Sequence, residues 1–134
     1  MSEKIVVVDD EKEIADLVTT FLQNEGFSVQ PFYDGTSAIA YIEKEAIDLA
    51  VLDVMLPDID GFQLLQQIRK THFFPVLMLT AKGEDLDKIT GLSLGADDYV
   101  PKPFNPLEVV ARVKTQLRRY QRYNHSTASP TVVE

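Results

Sequence analysis

A chain of 134 residues carries 45% hydrophobic and 25% charged residues, no cysteine and a formal net charge of −8. That length supports one domain with its own core plus a tail, rather than two ordinary domains. The charge argues against direct binding of nucleic acid, the missing cysteines exclude a disulfide scaffold or a thiolate metal site, and no run approaches the roughly 20 apolar residues of a membrane span. The N-terminal MSEK lacks the apolar core of a signal peptide, so a cytoplasmic location is expected. An acidic surface suggests a cation or a protein partner.

Taken in chain order, short apolar runs alternate with segments of helical period. Ile5 to Val8 reads as a first strand. A helix follows, with the stripe Ile14, Leu17, Val18, Phe21 and Leu22, closed by Gly26. Ser28 to Phe32 is a second strand, before a helix on Ala38, Ile39 and Ile42. Leu49 to Val54 is a third, followed after Gly61 by a helix on Phe62, Leu65 and Ile68. Pro75 to Thr80 is a fourth, and Leu86, Ile89 and Leu92 mark a helix that Gly95 stops. Tyr99 and Val100 are the fifth strand. The last helix carries Leu107, Val110, Val113 and Leu117, with Asn105 as its N-cap and Pro106 at the first helical position. After Tyr123 the sequence NHSTASPTVVE is polar and aperiodic, and it reads as a linker or frayed tail.

Five βα units imply right-handed crossovers and a parallel sheet covered on both faces. The expected fold is α/β, a flavodoxin-like doubly wound sheet with strand order 2-1-3-4-5, whose ligand crevice lies beyond the carboxyl ends of the strands. Asp9 and Asp10 follow strand 1, Asp53 lies at the end of strand 3, Thr80 ends strand 4 and Lys102 follows strand 5. All five are expected on one rim.

Like charges placed there repel by about 4 kcal/mol at 4 Å and an effective dielectric of 20. A divalent cation offsets that cost. Three carboxylates form the hard oxygen cluster that holds Mg²⁺ together with waters, and a backbone carbonyl just past Asp53 could add a further oxygen. Lys102 brings a fixed positive charge and Thr80 a hydroxyl donor. An acidic nucleophile, Mg²⁺, a lysine and a hydroxyl are the parts for phosphoryl transfer to a carboxylate. Each residue also has a plainer reading: Asp9, Asp10 and Glu11 as helix-start acids, Asp53 as a turn residue, Thr80 as a strand hydroxyl and Lys102 as a solvated charge. Four strands bringing complementary chemistry to one edge favour the site. Glu11 reads as a first-turn helix acid outside it.

The pieces IVVVDDE, DLAVLDVMLPDIDG, PVLMLTA and GADDYVPKPF, in this order and spacing, resemble the receiver domains of two-component response regulators, of which CheY is the type. The resemblance covers residues 1–122 and leaves 123–134 as linker or tail. It implies that Asp53 is the phospho-acceptor, phosphorylated by a histidine kinase. It further implies that Asp10, Asp53 and the Met55 carbonyl bind Mg²⁺, for which Mn²⁺ could substitute, with Asp9 acting mainly through a water. Thr80 and Lys102 would bind phosphoryl oxygens, Ala81 would leave room for the phosphate, and the Lys102-Pro103 peptide would be cis. Thr80 and Tyr99 would move together as the switch.

The last third of the sequence resembles the transcription-factor branch typified by OmpR and PhoB, and EIADLV, DKITGL and PLEVVARVKTQLRRY look most like the regulators of vancomycin-resistance operons. In that branch the fourth and fifth helices and the strand between them form a homodimer face. The residues that would carry it are Lys88 with Glu108, Asp98 with Arg112, and Asp97 with Lys114 or Arg118, around Ile89, Leu92 and Ala111. Glu108, Ala111, Arg112 and Thr115 share one face at helical spacing; the alternative is intrachain pairing such as Glu108 with Arg112. The branch carries a C-terminal winged-helix DNA-binding domain, for which the remaining residues are too few. An excised receiver is therefore expected, with a stand-alone receiver acting by phosphotransfer or protein contact as the alternative. A HAD-type Mg²⁺-dependent phosphatase is disfavoured because Asp53-Val54-Met55 lacks the second acid of D-x-D.

Overall fold

Strands β1 (Lys4–Val8), β2 (Ser28–Phe32), β3 (Leu49–Asp53), β4 (Val76–Ala81) and β5 (Asp98–Lys102) form one parallel sheet in the order β2-β1-β3-β4-β5. The structure, a computed structural model, describes residues 2–81 and 95–128. The expected strand order is therefore observed. Among the described residues there are four helices: α1 (Lys12–Gln23), α2 (Gly35–Lys44), α3 (Gly61–Arg69) and α4 (Pro106–Ala128). The helix expected on Leu86, Ile89 and Leu92 lies outside the described residues. None of the described helices is long and apolar enough to cross a membrane.

The inner strands β1, β3 and β4 are apolar on both faces because both faces are covered. Val6, Val8, Ala50, Leu52, Val76 and Met78 pack with Ala38 and Ile42 of α2 and with Leu64, Leu65 and Ile68 of α3. The alternate residues Ile5, Val7, Leu49, Val51, Leu77 and Leu79 pack with Ala15, Val18 and Leu22 of α1 and with Val109, Val110, Val113 and Leu117 of α4. This period of two along each strand fixes which face each side chain joins.

Two helices meet the sheet at a different phase from the expected stripes. In α1, Leu17 is 43% exposed, while Ala15 and Thr19 are buried. At about 100° per residue, Leu17 turns away from Val18 on the side opposite Ala15 and Leu22. In α4, Leu107 is 58% exposed and the buried stripe starts at Val109. Leu107 sits about 120° around the helix from Val113, so its spacing from Val110 imitates a core position without being one. The start of α4 matches expectation: the Asn105 side chain accepts the Leu107 N–H at 2.9 Å, with Pro106 first in the helix. Its end does not, since the helix runs to Ala128, past Tyr123. Once a helix is nucleated, each further residue adds a hydrogen bond, and neither Gly nor Pro interrupts before Pro130.

Candidate functional site

The strand register builds the site. Val8 lies beside Leu52, so the next residues, Asp9 and Asp53, are neighbours across β1 and β3. Asp53 lies beside Leu79 and Ala81 beside Lys102, so Thr80 and Lys102 reach the same rim. After Asp53 the chain doubles back into α3, and the Gly61 N–H donates to the Val54 carbonyl at 2.8 Å. A Cβ on Gly61 would lie 2.2 Å from the carbonyl oxygen of Asp53, so only glycine allows this return.

Carboxylate oxygens of Asp9, Asp10 and Asp53 all lie within 4.8 Å of one another. Asp9 is fully buried, Asp53 is 5% exposed, and Asp10 faces solvent. Asp9 Oδ1 accepts the Glu11 N–H at 2.9 Å. Asp9 Oδ2 has Lys102 Nζ at 3.1 Å as an ionic partner and, among the described residues, no geometrically satisfied hydrogen bond. Lys102 Nζ also lies 3.3 Å from Asp53 Oδ2 and 3.1 Å from Glu11 Oε1. One ammonium thus serves three acids. The Met55 N–H approaches Asp53 Oδ1 at 3.3 Å.

Burial, and then the charge of Asp9, push the Asp53 carboxyl up to about 7, against the pull of Lys102 and the Met55 amide. Burial works against the charge of Lys102, but Asp53, Asp9 and Glu11 outweigh it and raise the ammonium to about 12. Among the described residues the rim therefore holds more negative charge than Lys102 neutralises. Thr80 is buried and Tyr99 packs in the layer under α2 and α3, where burial raises its phenol. The Lys102-Pro103 peptide is cis. Ala81 ends β4, and its side chain lies outside the described residues.

Glu11 needs correcting: it reaches Lys102 and belongs to the rim. Its position directly after two site aspartates was the available signal. Of the residues assigned to the dimer face, Lys88, Ile89 and Leu92 lie outside the described residues. Asp98 receives two hydrogen bonds from Arg112 Nη1, at 2.8 and 2.9 Å, and Glu108 lies 3.3 Å from the same guanidinium. Asp97 binds Arg69 Nη2 and the Val76 N–H, both at 2.8 Å, and Lys114 pairs with Glu25. Ala111 and Arg118 are exposed on α4.

A buried acidic pair and a lysine at the carboxyl rim of a 2-1-3-4-5 sheet define a receiver-type signalling domain. The model of the response regulator receiver domain matches residues 5–114, and the chain belongs to that family of signalling switches. It is 98% identical over 134 residues to the regulatory protein VanRc of Enterococcus gallinarum, matching all of this chain and 58% of that protein. It is 54% identical over 124 residues to the regulatory protein VanR of Enterococcus faecium, matching 92% of this chain and 54% of that one. Among solved structures it is similar to the response regulator DrrB of Thermotoga maritima, an OmpR/PhoB homologue, with TM-score 0.83 and 41% identity over 90% of this chain and 54% of that one. These similarities support the OmpR/PhoB branch. The chain spans little more than half the length of the curated relatives it matches.

Proposed function

We infer that Asp53 accepts a phosphoryl group from a histidine kinase in the cytoplasm, with Mg²⁺ bound, and that the acyl phosphate switches the chain to a dimerising state. The observation that carries this reading is the approach of Asp9, Asp10 and Asp53 within 4.8 Å, two of them buried, beside Lys102. Such an all-oxygen set fits Mg²⁺, or Mn²⁺ in its place. The buried Asp9 Oδ2, without a hydrogen-bond partner among the described residues, fits a water held by that cation. Asp10, Asp53 and the Met55 carbonyl would hold the cation, and Asp9 would hold its water. When bound, the cation supplies positive charge that offsets the repulsion among the acids and neutralises phosphoryl oxygens.

In the transfer, an oxygen of ionised Asp53 forms a bond to phosphorus while the bond from phosphorus to the kinase imidazole nitrogen breaks, and the electron pair leaves with the imidazole. Lys102 and Thr80 each take a phosphoryl oxygen, and Ala81 leaves space for it. Water later hydrolyses the acyl phosphate, so the chain resets as a switch. Thr80 gains a charge-assisted hydrogen bond only in the phosphorylated state, and Tyr99 repacks with it.

The output face would use β5 and α4; Lys88, Ile89 and Leu92, which the family resemblance adds to it, lie outside the described residues. Asp97, Asp98, Glu108, Ala111, Arg112, Lys114 and Arg118 carry its described part, and several of its charges must exchange intrachain partners for those of a second copy. DNA would be bound by a C-terminal effector domain outside this chain. Incubation with acetyl phosphate and Mg²⁺ should add one labile phosphoryl group per chain by intact mass, and Asp53→Asn should abolish it; labelling that survives this substitution rejects the assignment. Arg112→Glu should leave labelling intact and reduce phosphorylation-dependent dimers in sedimentation velocity.

A further inference from the structure

The loop from β3 to α3 is held at two places beyond the rim. At its end Asp60 caps α3, accepting the Phe62 N–H at 2.7 Å and closing a capping box with Gln63. At its tip Asp58 reaches across to α2. Its Oδ1 accepts the Gly35 N–H at 2.9 Å, and its Oδ2 accepts the Thr36 N–H at 2.8 Å and the Thr36 hydroxyl at 2.5 Å. These amides belong to the first turn of a helix, where no partner exists within the helix itself. Asp34, the N-cap, serves a different one, the Ser37 N–H at 2.7 Å. Two acids therefore divide the start of α2: one is local, and the other comes from the loop that leaves Asp53. The apolar side of this junction is equally close, since a Cβ on Gly35 would lie 2.0 Å from Ile59 Cγ2.

We propose that Asp58 is a positioning residue of the cation site: by clasping the first turn of α2 it fixes the β3 to α3 loop that carries Met55. This rests on the cation site inferred above. A loop fixed in advance need not be ordered when the cation binds, so the ordering entropy is not subtracted from affinity. Because Asp34 caps the same helix through hydrogen bonds from Ser37 of that helix, it separates capping from positioning.

The test is calorimetric titration of Mg²⁺ into the whole chain and its variants, beside thermal melts. Asp58→Ala and Asp34→Ala should both lower the melting temperature, but only Asp58→Ala should weaken Mg²⁺ binding, by roughly tenfold. Thr36→Ser, which keeps the hydroxyl, should bind as the wild type does, and Thr36→Val should weaken binding in the same direction as Asp58→Ala. Should Asp58→Ala fail to fold, the Thr36 pair decides. Unchanged affinity in Asp58→Ala or Thr36→Val, or an equal loss in Asp34→Ala, overturns the clasp while leaving the cation site standing. A wild type that takes up no Mg²⁺ overturns the cation site and the clasp together.

Discussion

Asp53 and Asp58 stand at the root and the tip of one loop, and their surroundings drive them in opposite directions. Asp53 is buried beside Asp9, and its carboxyl is pushed up to about 7. Asp58 is exposed, and the Thr36 hydroxyl and then the Gly35 amide pull it down to about 2. At the first site Lys102 is shared among the acids, and at the second three donors converge on one carboxylate. The same side chain is thus left poorly compensated where chemistry is proposed and well satisfied where the chain needs an anchor.

The largest contrast should come from removing the Lys102 ammonium from the rim. Lys102→Met leaves Asp9 and Asp53 buried without their ammonium, and equilibrium denaturation in EDTA should show a loss of about 3 kcal/mol. Mg²⁺ should recover part of it. Next is the pH dependence of the metal-free protein. Asp53 has a folded pKa raised above its unfolded value, so the folded state binds the extra proton. Its contribution to stability is present near pH 4 and is lost as pH rises through about 7. Melts at intervals from pH 5 to 8 in EDTA should therefore fall with pH, and Asp53→Asn should flatten that fall. Asp58 gives the smallest effect, with the opposite sign. Its folded pKa is depressed, so its contribution is present above the unfolded value near 4 and is lost as pH falls toward about 2. Acid melts should show that loss in the wild type and less of it in Asp58→Ala.

The strands were legible because a sheet buried on both faces leaves unbroken apolar runs, as in Ile5 to Val8 and Leu49 to Leu52. The rim was legible because strand order converts sequence position into proximity, which brought Asp9, Asp53 and Lys102 together on paper as they are in space. Helix phase was harder to read. Leu17 and Leu107 are apolar at helical spacing, and only the angle at which each helix meets the sheet shows that they face outward. Long-range polar partners left no local trace. Nothing near Asp58 signals Thr36, and nothing near Asp97 signals Arg69, because those pairs exist only after separate elements have docked. Glu11 was read as a helix-start acid, and its backbone does sit at the N-cap of α1, while its side chain is drawn to Lys102.

The most direct measurement of whether the acidic rim serves phosphoryl chemistry at the expense of stability is the melting temperature of wild type and Asp53→Asn at pH 8, titrated with Mg²⁺. In EDTA the Asp53→Asn protein should melt several degrees higher, and rising Mg²⁺ should stabilise the wild type more and close the gap. A variant that melts lower than the wild type in EDTA, or a wild type whose melting temperature ignores Mg²⁺, would contradict it.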